Sequence, residues 1–327
     1  MQTTRRRLLA MLSSTTAAGL FGEKVSAQEA PPETTTIRLA KIPGICIAPQ
    51  YVAEELLRSE GFTNVHYVEL SVNVYSGFTA GTIDISMAFI APYIIQLDAG
   101  LPLVLLGGVH AGCFELFGTE RIKAIRDLKG KTVAVPELGS AHPVFVAAMA
   151  SHVGIDPKRD INFVIHPPAE SMHLLAEGKI DAMMGFPPDP QELRDKKIGH
   201  AIVNSGLDRP WSQYFCCIVA AHQEFVRKHP AATKRALRAI MKATHLCAAE
   251  PERAARLVAD KGYRYDYSLQ TMKEIAYARW RDYDAEDTVR FYALRLHEAG
   301  MIKSTPSKIA QGTDWRFFNE LKRELKS

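Results

Sequence analysis

A nine-residue pattern occurs twice in this chain, and nothing else in the sequence restricts the fold as tightly. Gly81-Thr82-Ile83-Asp84-Ile85-Ser86-Met87-Ala88-Phe89 returns as Gly178-Lys179-Ile180-Asp181-Ala182-Met183-Met184-Gly185-Phe186, both written G-x-I-D-x-x-M-x-F. The flanks agree as well. An apolar strand at 65–70 precedes the first copy and one at 161–166 precedes the second, while 37–42 and 131–135 open the two units. Each unit reads strand, helix, strand, helix, strand. Near-continuous apolar strands joined by helices make parallel sheets covered on both faces, so the repeat predicts two α/β lobes.

Local signals fill in the units. Tyr51, Val52, Leu56 and Leu57 share one helical face while Glu54, Glu55 and Arg58 lie mostly elsewhere. The stretch 144–153 behaves similarly, with Pro143 tolerated in a first turn. Gly81 and Gly178 are placed to end short helices in the left-handed conformation. Asp84 and Asp181 are expected to satisfy local turns. Ligands collect at the carboxyl ends of strands in open sheets, which puts Phe89 and Phe186 at related positions on the walls of a cleft between lobes. A further strand at 215–220 leads into a helical carboxyl third, with helices at 230–248 and 251–259 and Gly262 closing the latter. Crossings at 118–120 and 209–211 divide the chain into one lobe of 36–119 plus 214–327 and a second of 120–213. Two crossings permit hinge closure around a ligand.

Residues 1–27 read as a removable export signal. Arg5-Arg6-Arg7 precedes a mildly apolar stretch containing Ser13, Ser14, Thr15 and Thr16, and Val25-Ser26-Ala27 closes it, a pattern resembling the twin-arginine type. Residues 28–35, with Pro31-Pro32 and Thr34-Thr35, read as a flexible leader. The signal holds four bases and one acid, so the rest of the chain is left with a net charge of only +1. That offers no broad basic face, and nucleic acid is not an expected partner. Cys46, Cys113, Cys216, Cys217 and Cys247 lack the short regular spacing of a zinc site or a disulfide framework, and most are expected to be buried small hydrophobes. No metal site or cofactor is expected. There is no G-x-S-x-G elbow, H-E-x-x-H or P-loop, and no catalytic residue is assigned.

Ala53-Glu54-Glu55 leading to Glu60-Gly61-Phe62, Ala80-Gly81-Thr82-Ile83-Asp84, Asp127-Leu128-Lys129-Gly130-Lys131-Thr132-Val133 and Phe225-Val226-Arg227-Lys228-His229-Pro230 together resemble the solute-binding components of ABC importers, in the nitrate, taurine and sulfonate branch (NMT1/THI5-like). The resemblance implies a type II periplasmic binding protein with a mixed sheet in each lobe. It implies a monomer outside the cytoplasm that hands a small molecule to a membrane permease and its ATPase. It also places ligand contacts at the loop after the first strand, here Gly44, Ile45 and Cys46, and at the helix start Gly139, Ser140, Ala141 and His142. The loop Pro43-Gly44-Ile45-Cys46-Ile47 is less polar than is usual in the family, which favours an organic ligand: a sulfonate, a carboxylate or a heterocycle. Tyr75, Phe89, Ile90, Phe186 and Pro187 are candidate apolar walls.

Alternatives stay open at several of these positions. Ser140 serves a ligand or is an ordinary N-cap, His142 meets ligand or lies on the helix surface, and Asp189 more readily caps the helix of Glu192 than binds an amine. An enzyme of the same fold, the thiamine-pyrimidine synthase type, would use a lysine-bound pyridoxal phosphate, a donated histidine and a cysteine-rich iron loop. Cys216-Cys217 and His66, His110, His142 and His166 are its only matches here. A ligand-sensing role outside the cytoplasm is the other alternative.

Overall fold

Ten strands form two five-stranded sheets among the residues described by the computed structural model, 29–70 and 74–325. The expected export signal lies outside the described residues. The chain divides into Met1–Ala30 and Pro31–Ser327, and both sheets belong to the second unit.

The first sheet contains β1 (Thr36–Lys41), β2 (Asn64–Glu69), β3 (Ile85–Phe89) and β4 (Leu103–Ala111). The second contains β5 (Glu115–Gly118), β6 (Lys131–Val135), β7 (Ile161–Ile165), β8 (Ala182–Gly185) and β9 (His200–Asn204). The chain then returns to the first sheet as β10 (Phe215–His222). The spatial orders are β2-β1-β3-β10-β4 and β7-β6-β8-β5-β9. In each sheet the three strands of the repeat unit run parallel, and the fourth strand, β10 or β5, runs antiparallel. That fourth strand is in both cases the first one formed after the chain has crossed over. The sheets are therefore mixed, and they are related to each other as the sequence repeat predicts.

The strand pattern explains why both faces are covered. Along β8, Ala182 and Met184 face the main core while Met183 joins a second cluster with Phe117, Ala134, Met172, Leu175 and Leu193. Period-two alternation thus sends successive apolar residues to opposite sides. The helix Ala141–His152 that follows β6 is buried from His142 through Ala150, as a helix packed between layers must be. The helix Pro230–Ala249 buries Ala236, Leu237, Ile240, Met241 and Cys247, at roughly 1.5–3 kcal/mol for each large side chain.

Two expectations are corrected. Glu115–Gly118 was expected in the first lobe but pairs with β8 and β9, so the first crossing is Gly112-Cys113-Phe114. Composition around Gly118 marks a strand end there, not a change of sheet. Asp84 and Asp181 do not serve local turns. Asp84 accepts from the Arg38 backbone N–H at 2.8 Å and from its guanidinium, and Asp181 accepts from the Thr132 N–H at 3.0 Å. Each aspartate therefore clamps the third strand of its unit to the first, and the repeat preserves this because both units need the same clamp.

Candidate functional site

The loop after β1, the end of β3, the first crossing, the start of the 141–152 helix and the end of β8 converge on one cavity. Its walls are Ile42, Pro43, Cys46, Ile47, Tyr75, Ala88, Phe89, Phe114, Ala141, His142, Phe186 and Cys217, and it encloses about 40 Å³. That is room for only a few water molecules. Phe89 and Phe186, the final residues of the two repeat copies, both face it. Phe114 stands between them, with ring centroids 5.0 Å from Phe89 and 5.4 Å from Phe186.

Six of the residues singled out from the sequence meet here: Cys46, Tyr75, Phe89, Ala141, His142 and Phe186. Gly44, Ile45 and Pro187 lie instead at a closed rim. The Ile45 N–H donates to the Pro187 carbonyl at 2.9 Å, and a Cβ on Gly44 would come within 2.8 Å of the Phe186 ring. Only glycine permits that approach. Ile90 opens the helix Ile90–Asp98 and is wholly buried without lining the cavity. Gly139 borders a separate surface groove beside Pro143 and Lys158. The Ser140 hydroxyl donates to the Glu137 carbonyl at 2.7 Å, lies 3.3 Å from His142 Nδ1 and makes no capping bond. Phe114 and Cys217 were not among the expected walls. Neither belongs to the repeat, and each reaches the cavity because it sits beside a crossing.

Among the described residues the walls carry no lysine, arginine or carboxylate. Burial pushes His142 down to about 3, so its imidazole is neutral at physiological pH and brings no charge to a ligand. It lies against Phe186 with ring centroids 4.8 Å apart. Polar opportunities are the imidazole and the first-turn N–H groups of Ala141 and His142, which a helix leaves without intrahelical partners.

Outside the walls, the sides are tied by charge. Arg194 of the helix Asp189–Asp195 reaches Glu115 at 2.6 Å and, across the cleft, Glu274 of the helix Tyr265–Glu274 at 2.8 Å. Gln191 Nε2 also donates to Glu274 at 2.7 Å. Asp189 begins its helix without capping it, since the N-cap position is Pro188 and no side-chain bond is made there. Burial, reinforced by Glu192 and Cys46, raises the Asp189 carboxyl to about 7. The folded protein then holds this proton between pH 4 and 7 while the unfolded chain releases it, so stability falls as pH rises through that window. A shift of about three units is worth at most roughly 4 kcal/mol. Asp189→Asn should melt several degrees above the parent at pH 8 and level with it at pH 4. An equal gain at both values in a melting series would assign the effect to something other than this ionisation.

The cysteines were expected as scattered hydrophobes, and all five are buried. Four of them nevertheless gather under the cavity. Cys113 Sγ is 3.4 Å from Cys216 Sγ, and the sulfurs of Cys46, Cys113 and Cys217 lie within 4.8 Å of one another. Linear spacing could not announce this, because the three come from the loop after β1, the first crossing and β10.

A family model described as the NMT1-like family matches residues 30–260. The bicarbonate-binding protein CmpA of Synechococcus elongatus is 31% identical over 101 residues, which are 31% of this chain and 22% of that protein. This chain thus spans well under a third of that relative's length. The periplasmic nitrate-binding protein NrtA of Synechocystis PCC 6803 superposes with a TM-score of 0.75 at 15% identity, covering 91% of this chain and 90% of that one. The alkanesulfonate-binding protein SsuA of Xanthomonas axonopodis pv. citri, bound to MOPS, gives 0.69 at 15% identity, covering 86% and 99%. The fold is that of the periplasmic binding proteins.

Proposed function

This chain belongs to the NMT1-like family, and from that premise we propose that it captures a small organic solute outside the cytoplasm and delivers it to an ABC permease and its ATPase. It acts as a monomeric, reversible trap without covalent chemistry. The sheet of β1–β4 and β10, with the carboxyl-terminal helices, is one lobe, and the sheet of β5–β9 is the other. Residues 1–27 direct export. Among the described residues no helix is long and apolar enough to cross a membrane.

The observation that carries the ligand class is the uncharged aromatic wall. A bare inorganic oxyanion entering this cavity would lose its hydration with no cationic side chain to replace it. A small flat organic molecule suits these walls better once the rings swing apart to enlarge the few-water cavity, its body then against Phe89, Phe114 and Phe186 and one polar end toward the N–H groups of Ala141 and His142, where the helix dipole favours partial negative charge. Closure is favoured because such a molecule touches both lobes only when the rim contacts of Ile45 with Pro187 and of Arg194 with Glu274 are made. That difference in contacts is what shifts the equilibrium.

The test is a melting-temperature screen of residues 28–327 against aromatic carboxylates, alkanesulfonates and pyrimidines, with nitrate and bicarbonate as counterparts. A ligand at 100 times its Kd adds about 2.7 kcal/mol of stability. His142→Ala combined with Phe186→Ala should weaken the best organic hit at least about tenfold, roughly 1.4 kcal/mol, whereas Ser140→Ala alone should leave it nearly unchanged. Stabilisation by nitrate or bicarbonate and by no organic compound would overturn the ligand class. Unaltered affinity in a folded double variant would overturn the site.

A further inference from the structure

We propose that Cys46, Cys113 and Cys217 form a three-sulfur site for a thiophilic d10 cation, monovalent copper or zinc, at the floor of the cleft. This goes beyond solute capture and does not depend on it. The three Sγ atoms lie within 4.8 Å of one another. An ion bonded to three sulfurs at about 2.3 Å holds them roughly 4 Å apart, so contraction by less than about 1 Å closes the site.

Local structure brings the sulfurs together. Pairing between β10 and β4 slips in register between Phe215 and Cys217 and again between Cys217 and Ile218. A bulge re-aims side chains that would otherwise alternate between faces, which lets the adjacent Cys216 and Cys217 both stand near Cys113. Cys46 is fixed by its own carbonyl, which accepts from the Tyr277 hydroxyl at 2.8 Å and lies 3.1 Å from His110 Nε2. Such outer contacts orient ligating groups.

The donor set selects the metal. Among the described residues the three grouped donors are all sulfur, with the buried His110 imidazole beside Cys217, and soft thiolates favour monovalent copper, zinc and iron–sulfur clusters over hard cations. Three sulfurs satisfy monovalent copper, whereas zinc requires a fourth donor. All three cysteines are buried, yet Cys46 and Cys217 face the cavity, which supplies the entry path. On binding, each sulfur that bonds the ion gives its proton to solvent, and no oxidant or reductant is consumed.

The test uses the full chain, reduced and desalted without oxygen, then offered one equivalent of copper(I) or of zinc(II) in separate arms and challenged with a competing chelator. One copper(I) per chain should be retained, with a near-ultraviolet sulfur-to-metal absorption and three sulfur neighbours by X-ray absorption. Retention should fall roughly 100-fold in Cys113→Ser and at least about tenfold in Cys217→Ser, and stay unchanged in Cys247→Ser, whose sulfur lies outside the group. Circular dichroism checks each fold, and Cys217→Ser carries the test should Cys113→Ser not fold. Zinc retained with the same variant pattern assigns the site to the divalent ion and supports it equally. Retention of neither metal, retention unaffected by both variants, or a protein isolated without reductant with Cys113 in a disulfide to Cys216 overturns the proposal.

Discussion

Gly112→Ala is expected to cost more than about 4 kcal/mol, a size reserved for a few identifiable mechanisms. Gly112 opens the first crossing, and a Cβ there would sit 2.2 Å from both the Cα and the N of Gly206 and 2.3 Å from the Ser205 carbonyl carbon. These are backbone atoms of the second crossing and cannot turn aside as a side-chain tip can. The crossings are laced together immediately beyond this point: the Ser205 N–H donates to the Phe114 carbonyl, and the Phe114 N–H donates to the Ser205 hydroxyl, both at 2.9 Å. A methyl group at Gly112 therefore separates the two strands on which any hinge must turn. Gly139→Ala is the matched comparison. Gly139 also has positive φ, +84°, but nothing lies within 4 Å of its Cβ position, so only the backbone cost of about 1–2 kcal/mol applies. Chemical denaturation of both variants reads the contrast. Equal losses would mean that the crossings are not in backbone contact.

Glu60→Ala is expected to cost about 3–5 kcal/mol, the range for removing one partner of a buried ion pair. Glu60 follows the helix Glu54–Ser59 and is 6% exposed. Its carboxylate takes hydrogen bonds from Arg238 at 2.7 and 3.0 Å and from Lys242 at 2.9 Å, and its carbonyl accepts from Arg235 at 3.0 Å. Burial works to raise this carboxyl, but Arg238 and Lys242 outweigh it and hold the group below the usual carboxylate range. Stability from the cluster is then present above the unfolded value near 4.5 and is lost as pH falls through the lowered folded value. Removing the carboxylate takes from Arg238, whose side chain is 13% exposed, its ion-pair partner at 2.7 Å, leaves it the longer pair with Glu324 at 3.5 Å, and loosens the helix Pro230–Ala249 from the helix Glu54–Ser59 within the first lobe. Glu55→Ala, one turn earlier with a side chain 79% exposed, should change stability by less than about 0.5 kcal/mol. Comparable losses at the two positions, or an acid transition identical in parent and Glu60→Ala, would refute the cluster's role.

Much of the architecture was legible because its signals are local. Strands of the first unit and of the second were placed within a residue or so by apolar runs, and the helix Pro251–Ala259 by its proline start and closing glycine. The matched phenylalanines were found because duplication preserves the position of a strand end relative to its sheet. The boundary of the first lobe was misplaced for the opposite reason. Glu115–Gly118 looks like any short apolar strand, and only its partners β8 and β9 say which sheet it joins.

Composition and the G-x-I-D-x-x-M-x-F repeat were enough by themselves to determine two related α/β units, their helices and a cleft at their strand ends, since each follows from spacing within a few turns or strands. Tertiary structure alone decided that Phe114 and Cys217 complete the cavity, that His142 is neutral, and that the sulfurs of three distant cysteines gather within 4.8 Å of one another. Those outcomes depend on strand order, on a bulge and on where two crossings touch. Contacts between residues far apart in the chain, and the loss of water around them, are set by that three-dimensional arrangement and leave no trace in local periodicity.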